Sequence, residues 1–98
     1  MEICFDADKN EKNKRERGLA FEQAADFDFA TAIYSVDDRK NYGEIRYRAL
    51  GFLGGRIHSL VFAERENGIR VISFRKANER EVKHYAQARN GDNGFGQS

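Results

Sequence analysis

The sequence predicts a small α+β domain built on one antiparallel sheet, with short helices before it and one helix after it. Three observations carry this reading. Stretches rich in β-formers at 44–53, 56–66 and 69–76 are separated by Gly54-Gly55 and Asn67-Gly68, pairs suited to tight type I′ or II′ hairpin turns. Polar and mixed segments at helical spacing precede and follow them. The chain has 98 residues, and hydrophobic cores rarely divide below roughly 150–200 residues, so one domain is expected.

Taken in order, residues 1–5 read as a short strand whose apolar pattern places Cys4 in the core as a small hydrophobe. It is the single cysteine, so neither a disulfide nor a thiolate metal site is expected. Asp6 is placed to cap a polar helix running through Lys9, Asn10, Asn13 and Lys14 toward Arg17, and Gly18 supplies the left-handed residue that ends it. Phe21, Ala24, Ala25 and Asp28 recur at helical spacing, which predicts a second short helix of two to three turns ending near Phe29. Residues 31–36 read as a strand and 37–43 as a polar loop.

The sheet proper is a three- to four-stranded meander. In its first long strand Ile45, Tyr47 and Ala49 share one face and Glu44, Arg46 and Arg48 the other, so one face is wet and basic. In 69–76 the apolar residues run continuously, as expected of a central strand covered on both sides, with Arg75 and Lys76 at its exit. His58, alternating with apolar residues, reads as structural, and Gly51, Gly54 and Gly55 as turn glycines. Asn78, followed three residues later by Glu81, starts the C-terminal helix in the manner of a capping box. Val82, Tyr85, Ala86 and Arg89 share one face of that helix, while Arg80, His84 and Gln87 line another. A single domain is thus expected over 1–89, with a flexible, Gly- and Asn-rich tail over 90–98.

Net charge is only +1, but it is unevenly spread. Residues 19–38 carry five acids and no Lys or Arg, a local charge of −5, whereas from residue 39 onward twelve Lys or Arg face six acids, a local charge of +6. The second half is thereby suited to a polyanion. No apolar run approaches the roughly 20 residues that span a bilayer, and the first residues lack the parts of a signal peptide, so a cytoplasmic protein without membrane association is expected. Phosphate loops, dinucleotide fingerprints, His and Cys ligand clusters and nucleophile elbows are all missing.

The string Phe5-Asp6-Ala7-Asp8-Lys9-Asn10, with Asn13, then Arg17-Gly18-Leu19-Ala20-Phe21-Glu22-Gln23-Ala24, resembles the opening of BrnT toxins. The likeness continues through Gly43-Glu44-Ile45-Arg46-Tyr47, Val61-Phe62-Ala63-Glu64-Arg65, Ile69 to Ala77, Glu79-Arg80-Glu81 and Tyr85, and its order and spacing cover residues 3–87. It implies a RelE-like fold and a metal-independent endoribonuclease, free of cofactors, that inhibits translation as the toxin of a type II toxin–antitoxin pair. It also implies a BrnA-like antitoxin with a ribbon-helix-helix part, joined in a 2:2 heterotetramer that reaches operator DNA only through the antitoxin. Two positions depart from the family pattern. Arg17 stands where a His is usual, which removes a titratable group, and Ala20 stands where a small hydroxyl residue is usual, which removes a helix cap worth roughly 1 kcal/mol.

RNA cleavage without a metal requires the 2′-hydroxyl deprotonated, the phosphorane charge stabilised and the leaving 5′-oxygen protonated. Guanidinium groups suit the middle task because they donate to phosphate oxygens in pairs at any accessible pH. Arg65, Arg75 and Arg80, each near a strand exit or helix start, are therefore the principal catalytic candidates. Glu64, His84 and Tyr85 are the candidates for proton transfer, with Lys9 also open. Lys9, Asn13, Arg17, Arg46, Arg48 and Lys76 are the expected RNA-binding residues. Against this stands surface pairing of Arg65 and Arg75 with Glu64, Glu66 or Glu79, worth only about 0–1 kcal/mol. A second reading, kept open by Arg17, is a non-catalytic module that binds RNA or antitoxin and serves as an operon co-repressor.

Overall fold

Asp6 and Gly18 delimit the first helix as their chemistry dictates. In the computed structural model, which describes residues 1–94, the Asp6 carboxylate accepts from the backbone N–H groups of Asp8 and Lys9 at 2.9 and 3.1 Å. Gly18, at φ 68°, closes helix α1 (Ala7–Arg17) and donates its N–H to the Lys14 carbonyl. The second helical stretch is shorter and tighter than expected, a 3-10 helix over Phe21–Asp26. Ala20 has no side-chain acceptor for its first turn, and instead the Gln23 side chain accepts from the Ala20 N–H at 2.9 Å.

Five strands follow the order β1-β5-β4-β3-β2: β1 (Glu2–Cys4), β2 (Ile33–Val36), β3 (Tyr47–Leu53), β4 (Arg56–Arg65) and β5 (Gly68–Lys76). The last four form the expected antiparallel meander. β1, however, runs parallel to β5, so the sheet is mixed rather than antiparallel. The chain crosses from one sheet edge to the other through α1 and the 3-10 helix, and that crossing fixes the direction of β1.

Several expectations are corrected by the register. β5 is an interior strand, as expected, lying between β1 and β4, but the strand buried on both faces without interruption is β4, from Ile57 to Ala63. The apolar run in β5 has another cause. Val61 pairs with Ser73 and Phe62 with Val71, so Ile72 is an extra, bulged residue. The bulge lets Val71 and Phe74, three apart, face the same core. Cys4 is exposed, because β1 is an edge strand whose inward position is taken by Ile3. Ile45 lies before β3 and is exposed. The β3–β4 turn is Gly54-Gly55 with Gly54 at φ 63°, as expected, but the β4–β5 turn is Glu66-Asn67, with Gly68 already paired to Arg65. Gly68 is needed for a different reason: a Cβ there would collide with the Glu2 carbonyl of β1.

One sheet face carries the main core, where Phe21, Phe27, Leu60 and Phe74 meet beneath α1 and the 3-10 helix. Two asparagines hold α1 in place. Asn10 is buried, accepting from the Phe21 N–H at 2.8 Å and donating to Glu22 at 3.1 Å. Asn13 donates its amide to the carbonyls of Leu19 and Phe74 at 2.8 and 2.9 Å. The other face carries a smaller cluster, Leu50, Ile57, Ala77 and Tyr85, under helix α2 (Glu79–Gly94). Tyr85 donates its hydroxyl to the Thr31 carbonyl at 2.9 Å. α2 continues past Arg89 to Gly94, and of the tail expected over 90–98, residues 95–98 lie outside the described residues. None of the described helices is long and apolar enough to cross a membrane.

Gly51 is not a turn residue, for it lies inside β3, where an added Cβ would approach the Phe27 ring to 2.8 Å and the Ala32 Cβ to 2.9 Å. Gly51→Ala is expected to destabilise the protein by about 1–3 kcal/mol through overpacking. Thermal melts check this as a Tm drop of roughly 4–8 °C per kcal/mol. Gly55→Ala, which enters open space, should stay within about 0.5 kcal/mol of the parent.

Candidate functional site

Strand pairing sorts the arginines before any side chain is considered. Ser35 pairs with Arg48, Arg48 with Val61 and Val61 with Ser73, while Leu50 pairs with Ser59 and Ser59 with Arg75. Ser35, Arg48 and Arg75 therefore share the sheet face on which α2 lies. Beyond the small apolar cluster this face becomes polar.

Helix α2 meets that surface through its first turn. Asn78 and Glu81 cap one another reciprocally, each side chain accepting from the other's backbone N–H at 2.9 Å. Glu81 also receives both arms of the Arg75 guanidinium, at 2.8 and 2.9 Å. Three residues further along α2, His84 falls on the same helix side as Glu81. With Ser35, Arg48, Ile33, Tyr34 and Leu50 these two side chains enclose a pocket of about 160 Å³.

Arg48 gives this pocket its chemical character. Its Nε is buried and has no hydrogen-bond partner among the described residues. A buried donor left without an acceptor costs roughly 1–3 kcal/mol, and the side chain that carries it lines the pocket. The neighbouring charges are shared unequally. Hydrogen bonds from Arg75, assisted by the Asn78 N–H and the Arg48 charge, hold the Glu81 carboxyl below the usual carboxylate range. Its partner Arg75 is shifted upward by Glu81, against the opposing charge of Arg39. Arg39 itself grips the buried Asp37 at 2.7 Å, and this hydrogen bonding, with the charges of Arg39 and Arg48, lowers the Asp37 carboxyl to about 2. Three guanidinium groups thus face two carboxylates, and the surplus is positive.

Of the residues expected at a site, the structure brings together Arg48, Arg75 and His84. The others lie elsewhere, for identifiable reasons. Arg65 ends β4 near the Glu66-Asn67 turn and is held by Glu44 at 3.2 Å and its neighbour's carbonyl. Glu64 borders a shallow apolar groove with Tyr34, Tyr47 and Phe62. Arg80 is exposed on α2 beside Asn78, Glu79 and Lys83. Tyr85 is buried against Phe52, its hydroxyl committed to Thr31.

Among the expected RNA-binding residues, Asn13 is engaged in holding α1 to β5. Arg46 stacks on the Tyr42 ring at 4.1 Å and pairs with Glu44. Lys76 is exposed at the end of β5, across from the buried, structural His58. Lys9 and Arg17 line a second depression, of about 270 Å³, between α1 and β5, which Arg75 also borders.

Sequence reasoning missed Glu81, Ser35, Arg39 and Lys12 as possible members of a site. For Glu81 a signal existed, since its spacing from His84 places both on one helix side, yet its role as a cap absorbed it. Among the described residues no three His, Cys, Asp or Glu side chains converge as metal ligands would.

Comparison with known proteins agrees with this architecture. The family model described as the ribonuclease toxin, BrnT, of type II toxin-antitoxin systems matches residues 5–81. The crystal structure of the Brucella abortus ribonuclease toxin, BrnT, superposes with a TM-score of 0.60 at 28% sequence identity, covering 81% of this chain and 99% of that one. No curated protein matches by sequence.

The Asp37 shift sets a pH dependence. A carboxyl whose folded pKa is depressed contributes stability above its ordinary value and loses it as the pH falls through the folded one. Stability should therefore decline as the pH drops from about 3.8 toward 2. Chemical denaturation across that window checks it, and Asp37→Asn is expected to flatten the curve while lowering stability at neutral pH.

Proposed function

The chain belongs to the BrnT family of ribonuclease toxins from type II toxin–antitoxin systems, and from this premise we propose that it is a metal-independent endoribonuclease acting in the pocket lined by Arg48, Glu81 and His84, with Arg75 held at its edge by Glu81. The observation that carries the reading is Arg48, whose Nε has no hydrogen-bond partner among the described residues and whose side chain lines a small pocket with the His84 imidazole and with Glu81, the carboxylate that holds a second guanidinium, Arg75.

The chemistry follows from what phosphodiester transfer demands. As the 2′-oxygen bonds to phosphorus, negative charge builds on the nonbridging oxygens, and donors already fixed in place stabilise it without reorganising. Arg48 supplies such a donor, and Arg75, held in a defined orientation by Glu81, supplies a second. His84 is the proton carrier, since imidazole is the side chain whose ordinary titration lies near neutrality. It takes the 2′-hydroxyl proton while the bond from phosphorus to the 5′-oxygen breaks, and the departing oxygen takes its proton from solvent water. The products are a 2′,3′-cyclic phosphate and a free 5′-hydroxyl.

Membership of a type II toxin family brings with it an antitoxin partner. In the proposed assembly that partner is a BrnA-like ribbon-helix-helix protein in a 2:2 complex, with acidic residues set against the basic pocket. Free toxin acts in the cytoplasm by cutting RNA and so halting translation, and residues 1–89 form the unit that carries the activity.

Incubating the purified chain with single-stranded RNA in excess EDTA tests the reading. Cleavage to cyclic-phosphate ends is expected, and Arg48→Ala or Arg75→Ala should each lower kcat by about 10²–10³, the usual loss for one transition-state donor. His84→Ala should abolish the neutral limb of the pH–rate profile. RNA that stays intact at every protein concentration, or three variants that cut as the parent does, overturns the proposal.

A further inference from the structure

The depression between α1 and β5 is separate from the pocket beneath α2, yet it is the more basic of the two. Lys9, Lys12 and Arg17 project from one side of α1, at the i, i+3 and i+8 spacing that aligns residues along a helix face. Facing them across about 270 Å³ are Ile72, Ser73, Phe74 and Arg75 of β5. This stretch of β5 is open because β1 ends at Cys4, opposite Arg70. The single acid on the lining is Glu16.

Two further facts distinguish this cleft from an ordinary charged surface. Among the described residues none of Lys9, Lys12 and Arg17 forms an ion pair, although Lys14 on the same helix pairs with Glu11 and Arg75 pairs with Glu81. Glu16, four residues on from Lys12, is the one carboxylate on the lining, against four cations. The cleft is also held open. The Asn13 amide, bonded at once to Leu19 and Phe74, fixes the distance between α1 and the strand.

Arg75 belongs to both depressions, lining this one and reaching Glu81 at the edge of the other. We infer that the cleft between α1 and β5 is a second phosphate subsite, which takes the backbone flanking the scissile bond of a single-stranded RNA. This rests on the proposed ribonuclease reading and adds a length requirement to it: the substrate must extend past the pocket to reach Lys12 and Arg17.

The test compares a cleavable RNA dinucleotide with a single-stranded RNA of roughly eight nucleotides, a length within the range of single-strand sites. For the parent protein kcat/KM should rise at least tenfold with length. Lys12→Ala combined with Arg17→Ala should erase most of that rise and reduce the slope of log K against log salt by about 0.7 per lost contact. Lys14→Ala, the same loss of charge elsewhere on α1, is the control and should keep the rise. Binding of a 2′-deoxy-substituted octamer, which cannot be cut, judges the subsite independently of catalysis. If no RNA is cut but the double variant still weakens octamer binding, the cleavage reading fails and the subsite stands. No length dependence, a double variant that retains it, or a double variant that loses antitoxin while binding octamer normally overturns the subsite.

Discussion

One carboxylate, Glu81, joins the two halves of the structure on which the site depends. It closes the first turn of α2 through the Asn78 N–H and in the same position receives both arms of Arg75 from β5. The helix start and the strand end are thereby fixed to each other, and His84, one turn on, lines the same pocket as Arg48. The pair is partly buried, and removing either member of such a pair leaves an uncompensated charge whose cost exceeds the value of the pair itself. A surface ion pair could be lost at little cost, but this one sets the geometry of a pocket.

The two sheet faces divide the labour. The face beneath α1 is filled by aromatic and aliphatic side chains, and its aromatic rings meet edge to face, as Phe27 and Phe74 do at 6.1 Å between centroids. The opposite face carries a small apolar cluster against α2, with Arg48 and Arg75 beside it at the first turn of that helix. The bulge at Ile72 is what reconciles the two, because without the extra residue Phe74 and Val71 would point to opposite sides and Arg75 would turn away from α2. The placement of the site therefore rests on a local irregularity in β5.

Local chemistry was legible in the sequence and long-range pairing was not. The Asp6 cap, the Gly18 stop, the Gly54-Gly55 turn, the Asn78–Glu81 cap and the four-stranded meander follow from nearest neighbours, and each is present. The parallel pairing of β1 with β5, the central place of β4 and the bulge depend on contacts across the chain, which periodicity alone does not contain. The same limit governs the site. Arg65 and Arg75 look alike in sequence, since both stand near a strand exit, but register sends one toward Glu44 by a hairpin turn and the other toward Glu81 under α2. Arg48, expected as a binding residue on a wet face, stands in the pocket with a donor unmet because its strand neighbours and α2 enclose it.

The uneven charge of the chain invites a functional reading, yet much of it is structural. In the acidic stretch Glu22 bonds Asn10, Asp28 ties the turn through Thr31 and Ala30, and Asp37 grips Arg39. In the basic half Arg46 and Arg65 share Glu44, and Arg75 takes Glu81. Counting charges along the sequence therefore overstates what is free to meet a polyanion. Among the described residues the cations that lack an ion pair and line a depression include Arg48 in the pocket, Lys9, Lys12 and Arg17 in the cleft, and Arg80 and Lys83 beside Asn78. Arg75 has a partner and still belongs to both places, so an arriving phosphate need only share its guanidinium with Glu81. Exchange of one carboxylate contact for a phosphate oxygen at a fork that stays in position costs little reorganisation, which is the property a transition-state donor requires.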